Sequence, residues 1–250
     1  MAHGCCAATL VWFMRALPRF LALRTGMPLL LLFALAGCAA PGGQDAEVVS
    51  MVGARSATAA PLRPAPPDPM ALGSADAPLM IVEFSDYQCP YCQRFHAEVL
   101  PELRRNFIDT GKVRLVFKDL PLAMHREALP AAVAARCAAA QGKYWEMNEA
   151  LFANQAKLSA GLYARLAEAL HLDLKAFEAC RTDPATTQAV RRDTREAQQF
   201  GLTSTPSFLM GRREGERLRI ERVGRGFATY TVFAQELDKL LATPVPSGGK

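Results

Sequence analysis

Cys89 and Cys92 stand two residues apart around Pro90-Tyr91, directly after the strand-like run Leu79 to Phe84. Two cysteines at this spacing can serve as a redox couple, as half of a metal site or as a short structural bridge. If a helix begins at Pro90, Cys89 occupies its N-cap and Cys92 its third position, with proline at home in the first turn. Unpaired backbone N–H groups and the positive end of the helix dipole then favour the Cys89 thiolate. Cys92, on the same side of that turn, can attack a mixed disulfide formed at Cys89. A zinc site needs two further ligands, and the sequence has no second CxxC and no His-x-His cluster. His96, one turn past Cys92, reads as a surface or packed histidine. A purely structural bridge would close a very short loop and constrain the unfolded chain little. The spacing therefore points to thiol–disulfide exchange without metal or cofactor.

The strand before the pair holds Glu83, six residues ahead of Cys89. A carboxyl on a central strand is desolvated, and its pKa rises towards neutrality, where it can exchange protons. The alternative is an outward-facing strand glutamate.

Compartment bears on the same chemistry. Arg15, Arg19 and Arg24 precede an apolar run from Met27 to Ala36 that ends at Gly37-Cys38, the layout of a secretory signal. The run is shorter than the roughly 20 residues of a spanning helix. "LAGC", Leu35 to Cys38, resembles the bacterial lipoprotein signal, which implies cleavage before Cys38 and lipidation of that residue. Ala39 after it implies sorting towards the outer membrane, and Met14 would make a tidier start. The alternative is an ordinary signal with a chance cysteine. Residues 1–37 carry three arginines and no acid, so 29 − 3 = 26 basic residues face 24 acidic ones, and net charge falls from +5 to +2. The case for nucleic acid goes with it. The charge-dense stretch Gly211 to Arg225 alternates Arg with Glu, as a solvated hairpin does. Without Cys5, Cys6 and Cys38, four cysteines remain: Cys89, Cys92, Cys137 and Cys180. An even remainder in an exported chain favours disulfides, with three pairings open.

The elements that must position these residues follow from periodicity. Residues 38–76 read as a tether, with five prolines between Pro61 and Pro69. Residues 77–124 read as strand, helix, strand: Leu79 to Phe84, Pro90 to Asn106, and Lys112 to Pro121 after an Asp109-Thr110-Gly111 turn. Such a unit places its strands parallel. Residues 125–201 are helical, with segments at 128–141, 144–154, 159–170, 174–181 and 184–200. Residues 202–242 return to strand at Pro206 to Met210, turn at Gly211 to Gly215, pair through Arg217 to Val223, and close on a helix near 229–241; residues 243–250 read as a tail.

A CxxC at a helix start between two strands, with a later Thr205-Pro206 before another strand, resembles the thioredoxin superfamily. The helical insertion and the export signal narrow this to the DsbA-type thiol–disulfide oxidoreductases, over residues 77–242. The resemblance implies an α/β thioredoxin fold with an inserted helical domain. It gives Glu83 the proton handling for the buried sulfur. It also implies a cis Thr205-Pro206 bond, where chain chemistry alone favours trans, with Thr205, Pro206, Pro90 and Tyr91 meeting the substrate. Several relatives carry a second bridge, which implies a structural Cys137–Cys180 disulfide; two unpaired buried thiols are the alternative.

The expected activity is disulfide exchange on thiols of exported proteins, with a membrane or soluble redox partner and a lipid anchor on a bacterial membrane facing the periplasm. The expected direction is oxidation, at intermediate strength because Tyr91 adds no positive charge. Isomerase or reductase is the runner-up, and a non-catalytic binding or chaperone module a third reading.

Overall fold

The computed structural model describes residues 52–53, 68–214 and 217–243. The expected signal at 1–37, the Cys38 lipid site, most of the tether and the tail beyond residue 243 lie outside them. Among the described residues, no helix is long and apolar enough to cross a membrane.

One six-stranded sheet organises the described residues, in the order β1 (Val52–Gly53), β6 (Arg217–Arg225), β5 (Ser207–Glu214), β3 (Leu79–Ser85), β4 (Val113–Asp119), β2 (Ala71–Leu72). β3 runs parallel to β4 and antiparallel to β5. It is a central strand, and all seven of its residues are buried. Alternation divides its side chains between two layers. Leu79 and Ile81 join a core with Phe95, Leu103, Phe208 and Phe233. Met80, Val82 and Phe84 pack on the other face with Val116, Ala197 and Leu209. By the same parity Glu83 falls on the Leu79–Ile81 side, the side of the helix that carries the cysteines.

That helix spans residues 90–108 without a break but is not regular. α1 (Pro90–Arg94) and α2 (Leu100–Leu103) alternate with π-helical turns at Phe95–Val99 and Arg104–Ile108. Pro101 supplies the cause of the first: it has no N–H for the helical ladder, and its ring crowds the carbonyl four residues back. The Leu100 amide bonds instead to the Phe95 carbonyl, five residues back. Apolar spacing alone suggested a uniform helix; the proline decides otherwise.

The helical block comprises α3 (Ala128–Ala139), α4 (Tyr144–Ala153), α5 (Ala160–Ala169), α6 (Leu174–Thr182) and α7 (Pro184–Gln199), and the chain returns through β5 and β6 to α8 (Tyr230–Ala242). Asp173 and Asp183 cap α6 and α7 by accepting from the amides of Ala176 and Ala185. Arg136 on α3 ties the block to the sheet through Asp119 of β4, at 2.6 Å, and Asp193 of α7. Burial pushes the Asp119 carboxyl up to about 6 against the pull of Arg136.

Two boundaries differ from the sequence reading. The tether does not extend to residue 76, because Met70 is buried and Ala71–Leu72 pair with β4. Val52–Gly53, also inside the expected tether, pair with β6. Strands of two residues are too short to show any alternation. Nor is Gly211 to Gly215 a turn from its start, since β5 runs on to Glu214. Gly211 sits at a register shift beside Met210. A Cβ there would lie 1.9 Å from the Arg219 carbonyl oxygen, so glycine permits two backbones to approach.

Cys137 on α3 and Cys180 on α6 form a disulfide across 43 residues of sequence. In the loop-entropy account a closure of that length contributes about 4 kcal/mol. The double variant Cys137→Ala/Cys180→Ala is expected to lower the urea unfolding free energy by roughly that amount. An unchanged midpoint and slope would show that the bridge does not restrain the unfolded chain.

Candidate active site

Cys89 is the N-cap of α1 and Pro90 is its first residue, so the helix starts where the sequence places it. The Cys89 amide donates to Asp86 O and its carbonyl accepts from the amides of Cys92 and Gln93, all at 3.1 Å. Both cysteines are reduced; Cys89 is 5% exposed and Cys92 is fully buried. Pro90 is exposed and Tyr91 is 41% exposed, which leaves the pair's rim open to a partner.

The Thr205–Pro206 peptide is cis. The Cys89 thiol donates to the Thr205 carbonyl at 3.3 Å, bringing together segments 116 residues apart. The Thr205 hydroxyl is buried without a hydrogen-bond partner among the described residues and is free to donate to a thiolate.

These contacts divide the two sulfurs. Cys89 is lowered from the ordinary 9.0 to about 6, first by the hydrogen bond from Cys92, against desolvation, and then by Thr205. The amides of Cys92 and Tyr91 add smaller contributions, without a closed capping bond in the thiol form. The Cys92 thiol thus joins the amides of the helix start in supporting the thiolate, which the sequence reading assigned to the helix start alone. Cys92 is pushed well above its ordinary value, first by burial, then by the hydrogen bond and charge of Cys89, with Glu83 adding to the shift. One sulfur is ionised at neutral pH and the other keeps its proton.

Glu83 is wholly buried, so the outward-facing alternative is excluded. Its Oε1 lies 3.0 Å from His96 Nε2. His96 is a packed histidine, its ring stacked on Phe152 at 4.1 Å. Its pairing with Glu83 could not be read from the sequence, because the partners are 13 residues apart on different elements. Gln155 was also invisible there. It begins a 3-10 turn after α4, and its side-chain amide donates to Tyr87 O at 2.8 Å and Cys89 O at 3.0 Å. Tyr87 accepts from Asn148 on α4 at 3.0 Å. The helical block thus grips the backbone of the cysteine loop.

The expected residues Cys89, Cys92, Glu83, Pro90, Tyr91, Thr205 and Pro206 lie on the two segments and one strand that meet at the start of α1. Cys137 and Cys180 lie apart, in the helical block.

A thioredoxin family profile matches residues 66–225. The chain belongs to the thioredoxin family. Its fold is similar to that of DsbA1 from Wolbachia pipientis, at 28% identity and a TM-score of 0.64, covering 72% of this chain and 93% of that one. A thioredoxin-like oxidoreductase from Silicibacter pomeroyi is 27% identical with a TM-score of 0.59, covering 72% and 100%. These likenesses place the thioredoxin-family chain among the DsbA-type thiol–disulfide oxidoreductases. By sequence it is also 34% identical over 180 residues to a Na(+)/H(+) antiporter NhaA 3 of Salinispora tropica, covering 71% of this chain and 26% of that protein. The chain spans about a quarter of the length of the curated relatives it matches.

Alkylation of the reduced protein by iodoacetamide should be half-maximal near the value of about 6 given by Cys89, with Cys92 unmodified. The linked stability has a definite sign. A thiol whose folded value is depressed adds nothing below about pH 6, and its contribution grows as pH rises towards 9. At pH 7 it amounts to about 1.4 kcal/mol. Above pH 9 the raised Cys92 thiol acts in the opposite sense. Urea midpoints of the reduced protein should therefore climb from pH 6 to 8, and those of Cys89→Ser should not share that gain.

Proposed function

We propose that this thiol–disulfide oxidoreductase is a disulfide-forming oxidase of intermediate strength, acting through Cys89 and Cys92 on thiols of exported proteins. The observation that carries the reading is the asymmetry of the two sulfurs. A substrate thiolate attacks Cys89 Sγ in the oxidised pair, and the electrons leave on Cys92. A second substrate thiolate then displaces Cys89, which departs as a stable anion. A low Cys89 pKa favours the reduced enzyme and so drives disulfides into the substrate. At pH 7 a thiol lowered from 9.0 to about 6 favours the reduced form by about 1.4 kcal/mol. Thr205 and Pro206 dock the substrate backbone, while Pro90 and Tyr91 form the rim it meets.

Support for the opposite direction, isomerase or reductase, comes from the source of that shift. The largest contribution comes from a neutral thiol and not from a cation, so the couple lies well short of the strongest oxidants. The same reading places the protein in the periplasm, anchored through a lipidated Cys38 to the outer membrane and recycled by a membrane or soluble redox partner.

Equilibration of Cys89/Cys92 against glutathione tests the direction. The expected midpoint lies between about −230 and −180 mV, above the thioredoxin end near −270 mV. A midpoint at or below that end would assign the protein to reduction. Cys89→Ser is expected to abolish disulfide formation in a reduced model protein; retained exchange would leave only a binding or chaperone role. Cys38→Ser should release the protein from membranes, and a variant that still fractionates with them would refute the anchor.

A further inference from the structure

The catalytic helix holds a polar contact that attack at Cys89 does not use. His96 and Glu83 are 5% and 0% exposed at their side chains and meet at 3.0 Å. The other polar atom of each, His96 Nδ1 and Glu83 Oε2, is buried without a hydrogen-bond partner among the described residues. Leaving one such atom unpaired costs about 1–3 kcal/mol, so two adjoining cases require a reason. The ring cannot easily turn to relieve them, because it is stacked on Phe152 and edged by Phe95 and Phe117.

The two ends of this pair face different surroundings. Glu83, on β3, acts electrostatically on Cys92 and on the Tyr87 phenol. His96 lines a groove of about 820 Å³ between the outer face of the catalytic helix and α4. The charged groups along that groove largely cancel: Arg94 pairs with Glu98, and Arg104 with Glu149 of α4. Glu83 thus acts electrostatically on the buried Cys92 sulfur and is paired with an imidazole that borders an open groove.

Thiol exchange needs a proton path to that sulfur. When a substrate thiolate attacks Cys89 Sγ, a new S–S bond forms there and the bond to Cys92 breaks. The electron pair leaves on Cys92 Sγ, which is buried and must take up a proton as it departs. In the reverse direction that proton must leave before Cys92 can attack the mixed disulfide. Substrate covers the Cys89 side during both steps.

We propose that His96 is the positioning residue of a proton relay, in which Glu83 exchanges the proton with Cys92 and His96 restores Glu83 from the groove. The inference rests on the exchange activity proposed above, and His96 acts only through Glu83.

The test uses the full chain and a preformed mixed disulfide between Cys89 and a cysteine peptide. In His96→Gln, Cys89 should keep its alkylation midpoint and, as the reduced thiolate, its rate of attack on a peptide disulfide, a step in which Cys92 keeps its proton. Attack by Cys92 on the mixed disulfide should slow at least about tenfold at pH 7 with an altered pH profile. In His96→Ala, added imidazole should restore that step. A His96→Gln profile within about twofold of the parent's overturns the proposal, as does slowing that imidazole leaves unrescued or that equally affects attack by reduced Cys89 on a peptide disulfide. Should His96→Gln fail to fold, His96→Asn carries the same comparison, and an unslowed attack by Cys92 there refutes the relay. A parent protein that exchanges no disulfides would instead defeat the proposed function itself.

Discussion

The unequal burial and donor supply of Cys89 and Cys92 is the constraint on which the rest of the site depends. It requires one sulfur at the rim and one sealed beneath it, an arrangement that a helix start supplies at a spacing of three residues. Burial works against ionisation of both. Only Cys89 receives enough donors to overcome it, so the negative charge has one place to reside.

Three parts of the chain contribute to that result. β3 delivers the loop and places Glu83 under the helix by its strict alternation. The segment before β5 brings Thr205 to Cys89 from more than a hundred residues away. The helical block holds the loop by its own backbone through Gln155. The insertion is therefore part of the active-site wall, packed into one core with Cys89 and Cys92.

Much of this was legible in the sequence, and what was not has physical causes. Long periodic segments such as α7 and the apolar run of β3 show their type directly, because one buried face imposes its spacing. Pro90 announces a helix start. Pro101, by contrast, lies within a run whose apolar spacing looks regular, and only its missing N–H explains the π-helical turn before it. The edge strands at Val52–Gly53 and Ala71–Leu72 carry no pattern at all, since pairing with β6 and β4 defines them. At the site, the cysteines, Glu83 and Thr205-Pro206 stood out by motif. Gln155 and the tie between His96 and Glu83 did not, because polar side chains reveal their partners only once distant elements meet. The share of the Cys92 thiol in the Cys89 shift escaped for a related reason: local helix geometry can be inferred from order along the chain, whereas the proton on a neighbouring sulfur cannot.

The cross-link between α3 and α6 has a circular consequence. A newly made copy must itself pass through thiol–disulfide chemistry of the kind its active site handles, since part of its own scaffold is closed by a disulfide. Maturation and catalysis thus use the same sulfur chemistry at two depths, with the strap on the helical block closed once and the reactive pair turned over repeatedly.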